Sequence, residues 1–138
     1  MPSDQPADNT PAVTIESISA VTLFTPDIAA SIGFYSSLGF EKLYGGEGEP
    51  LTSFRVGTGF LNLIHTVEWD RAKSWGRTII YVSDVDAMFK RCIDNGWTPS
   101  TEPTDAAWGE RYFHISDPAG HEISFARPIS SDRPNAIP

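Results

Sequence analysis

The sequence predicts an α+β fold of two tandem βαβββ modules, on three observations. Two apolar β-type runs are each followed by an aspartate suited to a helix N-cap, Asp27 and Asp84. Each aspartate precedes a helical stripe that closes at a glycine, and the interval from Asp27 to Gly39 equals that from Asp84 to Gly96. Short β-type runs follow each helix. This repeat indicates duplication of one unit. Each helix has one apolar stripe, so we expect the helices on the outer face of a mixed sheet whose other face is free to curve around a central cavity.

The first module opens with a predicted strand at 18–24, after which Asp27 caps a helix by accepting a backbone N–H of its first turn. Gly39 ends this helix, because glycine adopts a positive φ at little cost. Strands at 40–44, 51–56 and 60–65 complete the module. The apolar spacing predicts that the helix packs through Ile28, Ile32, Phe34, Tyr35 and Leu38.

The second module repeats this order, with strands predicted at 78–82, 98–101, 111–115 and 121–126. Residues 117–120, Asp-Pro-Ala-Gly, are typical of a turn between the last two strands. Trp97 directly follows the helix end and is predicted to be structural. The helix stripe consists of Val85, Met88, Phe89, Cys92 and Ile93. Its lone cysteine is therefore predicted to be a small buried hydrophobe and not a nucleophile.

A chain of 138 residues has room for one ordinary domain. We expect a single domain at 14–128, with modules at about 14–66 and 76–128. The remaining ends, 1–13 and 129–138, are polar and rich in proline, so we expect them to be disordered tails.

Net charge, apolar runs and cysteine content predict the kind of partner and the cellular compartment. A formal net charge of -8 disfavours nucleic acid and anionic membranes and favours a cationic ligand. No apolar run reaches the about 20 residues of a membrane span, and the start of the chain lacks a signal-peptide pattern. One cysteine supports neither a disulfide framework nor a Cys-rich zinc site. We therefore expect a cytoplasmic protein.

The order of short motifs resembles the vicinal oxygen chelate superfamily, which includes glyoxalases, extradiol dioxygenases, fosfomycin resistance enzymes and bleomycin resistance proteins. In the first module the resemblance rests on Val21-Thr22-Leu23, Phe34-Tyr35 and Leu38-Gly39-Phe40. In the second it rests on Val82-Ser83-Asp84-Val85-Asp86 and Asp117-Pro118-Ala119-Gly120-His121. Membership implies a sheet around a cavity but no single reaction, because function depends on the residues of the site.

Metal-dependent members of that superfamily carry one ligand on each of four strands. The resemblance places Ala20, Asn62, Arg77 and Ser124 at those four positions. Divalent transition metals need imidazole, carboxylate or thiolate donors, whereas alanine offers none and arginine adds a fixed positive charge. We therefore expect no metal at the family site and no cofactor.

The stretch 107–113 contains Trp108-Gly109-Glu110-Arg111 and resembles the Trp-Gly-x-Arg stretch of bleomycin resistance proteins. Those relatives also lack the metal ligands and sequester a cationic glycopeptide in clefts between two subunits. The resemblance implies a metal-independent, homodimeric protein that binds a small aromatic or cationic molecule, with antibiotic resistance as one outcome. The predicted cavity lining is Thr22, Phe24, Asn62, Arg77, Tyr81, Trp108, Tyr112, Glu122 and Ser124.

A second function stays open, namely a lyase, isomerase or dioxygenase of the same superfamily with atypical acid-base or metal residues. Strand alternation places Glu122 on the cavity face beside His114, so these two residues are the catalytic candidates. A third possibility is a degenerate domain kept for protein contacts.

Several residues have competing interpretations. His114 is either catalytic or simply hydrogen-bonded, and His121 is interpreted as a turn residue. Arg77 either binds a ligand carboxylate or phosphate, or pairs with Glu122. Trp69, Trp75 and Trp108 are either aromatic walls for a ligand or packing residues.

Overall fold

The structure, a computed structural model, describes residues 12–129 and shows two βαβββ modules in succession. The first contains β1 (Ala20–Thr25), α1 (Ile28–Ser37), β2 (Glu41–Tyr44), β3 (Leu51–Val56) and β4 (Gly59–His65). The second contains β5 (Arg77–Tyr81), α2 (Val85–Asp94), β6 (Thr104–Asp105), β7 (Glu110–Ser116) and β8 (Glu122–Pro128). The α+β class and the tandem modules are confirmed. The predicted tails lie almost wholly outside the described residues, and the domain and module boundaries stay predictions.

Each module forms its own four-stranded mixed sheet, in the orders β1-β4-β3-β2 and β5-β8-β7-β6. In both sheets the first strand of the module runs parallel to the last, and the other pairs are antiparallel. This register sets Thr22 opposite Asn62 in the first sheet. In the second it sets Arg77 opposite Glu122 and His114 opposite Ser124. The sheets therefore decide which site residues become neighbours.

The predicted helix ends are confirmed. The carboxylates of Asp27 and Asp84 each accept a hydrogen bond from the backbone N–H three residues on, at 3.0 and 2.9 Å. Gly39 and Gly96 follow the helices with φ values of 98° and 86°, which favour glycine. Neither helix of residues 12–129 is long and apolar enough to cross a membrane.

One apolar core connects the two modules. Phe40 packs against Phe54 of β3 and against Phe125 of β8, with ring centroids 6.3 Å apart in both pairs. Trp97 packs on α1 and donates to Ser37 Oγ at 2.9 Å, which confirms its structural role. The helix stripes are confirmed except at Ile93, which is 49% exposed. Burial raises the pKa of the Cys92 thiol to about 11, so the thiol stays protonated and unreactive, as predicted.

The strand predicted at 98–101 is wrong, because β6 lies later, at Thr104–Asp105. Pro99 has no N–H to donate, so the predicted segment cannot form a regular ladder with β7. The segment contacts β7 through two hydrogen bonds. Ser100 N donates to His114 O at 2.8 Å, and His114 N donates to Thr101 Oγ1 at 3.0 Å. The Thr101 hydroxyl thus accepts the hydrogen bond that a backbone carbonyl would accept in a regular ladder.

Candidate functional site

Each sheet packs one face on the helices and leaves the other face, which the sequence predicts to line the cavity, free of them; we call this second face the open face. Alternation along the strands places buried Leu23 and Ile80 on the helix side and their neighbours on the open face. Several side chains of the open face are large, apolar and exposed: Phe24 (42%), Ile79 (56%) and Tyr81 (55%). Exposed apolar side chains gathered on one face indicate a binding surface.

A pocket of about 130 Å³ lies on the open face of the second sheet, and we call it the second-sheet pocket. Five predicted site residues line it: Arg77, Trp108, Tyr112, His114 and Ser124. Its other lining residues are Ile79, Glu110 and Ala126. The structure therefore brings together predicted residues from β5, β7, β8 and the turn before β7, while Tyr81 and Glu122 lie outside this lining.

Glu110 organises the aromatic side chains of this pocket. Its Oε1 accepts from the Trp108 indole N–H at 3.0 Å, and its Oε2 accepts from the Tyr81 hydroxyl. Trp108 also stacks on Tyr112, with ring centroids 6.0 Å apart and planes 23° apart. Sequence patterns do not identify Glu110 as a site residue, although it shares the strand alternation of Tyr112 and lies within the Trp-Gly stretch at 107–113. Three aromatic side chains and one carboxylate thus form a connected unit.

His114 pairs with Ser124 and not directly with Glu122. Its Nδ1 lies 2.7 Å from Ser124 Oγ, as the register requires, and Ser124 is only 3% exposed. Burial lowers the pKa of His114, the nearby Arg77 charge lowers it further, and Glu122 partly opposes both effects. Burial and the Arg77 charge therefore favour the neutral form of the His114 imidazole.

Arg77 pairs with Glu122 through one bond of 3.0 Å between Nη2 and Oε1. The side chains remain 40% and 45% exposed, so solvent screens the pair and leaves both groups accessible to a ligand. One interpretation of Arg77, as the partner of Glu122, is therefore observed. This contact occupies one of the two carboxylate oxygens of Glu122.

The remaining predicted residues lie on the first sheet, apart from the second-sheet pocket. Asn62 Nδ2 donates to Thr22 Oγ1 at 3.3 Å, and Asn62 Oδ1 accepts from Ser53. Phe24 meets Trp69 edge-on, with ring centroids 5.9 Å apart. The predicted lining is thus divided between the two sheets of one chain.

A larger space of about 420 Å³ runs between the modules, along the start of β1 and β4 and along β5. We call it the inter-module groove. Apolar side chains dominate its lining, among them Val21, Phe60 and Trp75. Arg77 and Ile79 line both this groove and the second-sheet pocket, so the two spaces are adjacent.

His121 is more than the turn residue that was predicted. It is 2% exposed and stacks on Trp69, with ring centroids 5.0 Å apart. Trp75 donates its indole N–H to His121 Nδ1 at 2.6 Å, and His121 Nε2 lies 2.7 Å from the Phe24 carbonyl oxygen. The loop 66–76 carries both tryptophans, and no local pattern in it predicts that they enclose a histidine.

The donor set does not suit a divalent metal ion. Ala20 and Ser124 offer no ordinary ligand, and at the Arg77 position a guanidinium already binds Glu122. Across residues 12–129, moreover, no group of three or more His, Cys, Asp or Glu side chains is arranged to hold a metal.

Two solved structures resemble this fold, and their low sequence identities mean that the likeness concerns the fold only. A glyoxalase/bleomycin resistance protein/dioxygenase from Nocardioides has a TM-score of 0.71 at 18% identity, covering 92% of this chain and 93% of that one. A bleomycin-binding protein complexed with bleomycin has a TM-score of 0.67 at 18% identity, covering 82% of this chain and 98% of that one.

An uncharacterized protein of Mycobacterium bovis is 44% identical over 48 residues, which make up 35% of this chain and 32% of the relative. The match thus spans about a third of the relative's length. Residues 17–125, by contrast, match one family over most of the chain. The tandem βαβββ modules and this match together show that the chain belongs to the Glyoxalase/Bleomycin resistance protein/Dioxygenase superfamily.

Proposed function

We propose that this protein binds a small aromatic or cationic molecule without a metal and sequesters it without transforming it. The observation that carries the proposal is the unit around Glu110. Its carboxylate accepts hydrogen bonds from Trp108 and Tyr81, and the Trp108 ring stacks on Tyr112. Fixed aromatic faces suit a flat ring, and a carboxylate between them attracts a positive charge. The net charge of -8 adds a long-range attraction for cations.

We further propose that the working form is a homodimer. On its own the second-sheet pocket, at about 130 Å³, is smaller than the roughly 300 Å³ or more of a typical small-molecule site, so a ligand would also occupy the adjoining inter-module groove or be covered by a second copy. A second copy that sets its first sheet over this pocket would enclose more space and add Thr22, Phe24 and Asn62 to the lining. The likeness in fold to a bleomycin-binding protein complexed with bleomycin supports the binding of a small molecule, and bleomycin is therefore the first ligand to test.

The proposed setting is the cytoplasm, with a small molecule as the partner and nucleic acid excluded. The acidic net charge and the single cysteine support these assignments. Protection of a cell against an antibiotic is one consequence that sequestration would have.

Calorimetry against three ligands tests the binding proposal. Bleomycin and the planar cation ethidium are expected to bind saturably, whereas fluorescein, an aromatic anion, is expected to bind at least tenfold more weakly. Sedimentation of the same samples is expected to show dimers. If neither cation produces heat, or if fluorescein binds more tightly than ethidium, the proposal is wrong.

The second candidate function is proton transfer by His114 and Glu122, as in a lyase, isomerase or dioxygenase. The observation that favours it is the lowered pKa of His114, which leaves a neutral imidazole available as a base beside a carboxylate. Metal analysis of protein purified without chelator separates the two functions in part. A stoichiometric divalent ion would favour an enzyme and count against sequestration without a metal.

A further inference from the structure

Trp75 is exposed and at the same time held in place. The residue is 46% exposed, although burial of an indole is one of the largest apolar contributions to folding. Its N–H donates to His121 Nδ1 at 2.6 Å, and its ring meets the imidazole edge-on at 5.8 Å. An exposed aromatic ring with a fixed orientation is typical of binding surfaces.

The hydrogen bonds determine which nitrogen of His121 carries the proton. An indole N–H can only donate, so Nδ1 of His121 must accept from Trp75. The Phe24 carbonyl can only accept, so Nε2 carries the hydrogen and donates over 2.7 Å. His121 therefore links Trp75 to β1 through two different ends of one buried ring.

Trp75 forms part of the inter-module groove, close to Arg77 and Ile79. The groove is mainly apolar, so it suits a ring better than a charged chain. A ligand with an aromatic ring would match this lining.

We propose that Trp75 is a wall for an aromatic ring in the inter-module groove, and that His121 is the positioning residue that holds this wall. The groove would extend the second-sheet pocket, because Arg77 and Ile79 belong to both. This inference rests on the proposed function for its ligand. The contact between Trp75 and His121, in contrast, can be measured without one.

Two substitutions of His121 test the hydrogen bonds of its two ring nitrogens one at a time. The amide of Asn in His121→Asn occupies the place of Nδ1 and can still accept from Trp75. The amide of Gln in His121→Gln occupies the place of Nε2 and can still donate to the Phe24 carbonyl, but it leaves Trp75 without its acceptor. A role confined to packing would make the two variants behave alike.

The first readout is the indole N–H signal of Trp75 in an NMR spectrum of the ligand-free protein, assigned by its loss in Trp75→Phe. We expect this signal to keep its downfield position in His121→Asn and to move toward that of a solvated indole in His121→Gln. If the signal is the same in both variants, His121 does not position Trp75.

The second readout is the affinity for ethidium and bleomycin. We expect His121→Gln and Trp75→Ala to weaken binding about tenfold or more, and His121→Asn to recover most of the loss. If Trp75→Ala binds as tightly as wild type does, Trp75 does not form a wall for the ligand's ring. If wild type binds neither ligand, the proposed function and the wall both fail, while the indole signal still decides whether His121 holds Trp75.

Discussion

The Tyr35 hydroxyl donates a hydrogen bond of 2.6 Å to Asp117 Oδ2, which joins α1 of the first module to the turn between β7 and β8 of the second. Both groups are buried, with exposures of 0% and 4%. Asp117 Oδ1 also accepts from the backbone N–H groups of Ala119 and His121, at 3.0 and 2.9 Å. A buried carboxylate thus ties the two modules together and shapes the turn that carries His121.

Tyr35→Phe is expected to destabilise the protein by about 1–3 kcal/mol, because it leaves one oxygen of a buried carboxylate without its donor. The ring itself is retained, so the packing on Phe34, Phe40 and Phe54 changes little. Urea unfolding measures the difference. The matched control is Tyr44→Phe, since Tyr44 is 58% exposed and its hydroxyl is expected to contribute less than about 0.5 kcal/mol. Equal effects of the two variants would contradict the role of the contact.

The buried phenol of Tyr35 is expected to lower the free energy of unfolding in alkali. Burial raises the pKa of Tyr35 well above its usual value, and the Asp117 carboxylate raises it further. Above about pH 10 the unfolded chain loses the phenolic proton while the folded chain keeps it, so the free energy of unfolding falls as the pH rises. Tyr35→Phe should remove this part of the slope. Parallel stability curves for wild type and variant between pH 9 and 11 would rule the explanation out.

Trp108→Ala is expected to weaken ethidium binding by about 2 kcal/mol, roughly thirtyfold, because it removes both the stacking surface and one donor to Glu110. Fluorescence titration measures this affinity. The control is Tyr44→Ala, an exposed aromatic residue on β2, at the edge of the first sheet. If both variants bind as wild type does, the second-sheet pocket is not the binding surface.

The charges around His114 predict the direction of its titration. Because Arg77 lowers the pKa of His114 and Glu122 raises it, Arg77→Gln should raise that pKa and Glu122→Gln should lower it. The imidazole proton signals followed by NMR between pH 4 and 8 report both shifts. Arg55→Gln, which removes an exposed charge from the first sheet, is the control and should leave the titration unchanged.

The His114 imidazole is expected to make the folded state less stable in acid. A lowered pKa means that the unfolded chain binds the His114 proton more readily than the folded chain does. Its contribution to stability is therefore present above about pH 6.5 and is lost as the pH falls. A pH dependence of opposite sign, isolated by comparison with His114→Gln, would show that the imidazole is stabilised in its charged form.

Local rules in the sequence predicted the elements that depend on neighbouring residues. Asp27, Asp84, Gly39 and Gly96 mark the helix ends because capping and positive φ act over one turn. The strand at 98–101 failed for an equally local reason, since Pro99 lacks the N–H that a ladder needs. The signal for that correction was present in the sequence.

The site depends on contacts between distant segments, which local patterns do not encode. Alternation alone suggested that Glu122 would meet His114, but the register sets Arg77 opposite Glu122 and Ser124 opposite His114. The enclosure of His121 by Trp75 depends on how an irregular loop folds back on a turn of the second module. No periodicity in the sequence describes that return.

A titration of ethidium into protein dialysed against EDTA shows whether the protein binds this cation without a metal. We expect saturable binding by the EDTA-treated protein, with a dissociation constant that stays within twofold when Zn²⁺ or Mn²⁺ is added in slight excess over the protein. Ethidium has no chelating group, so added metal acts only through the protein. Absence of binding after EDTA treatment, restored when either ion is returned, would contradict binding without a metal.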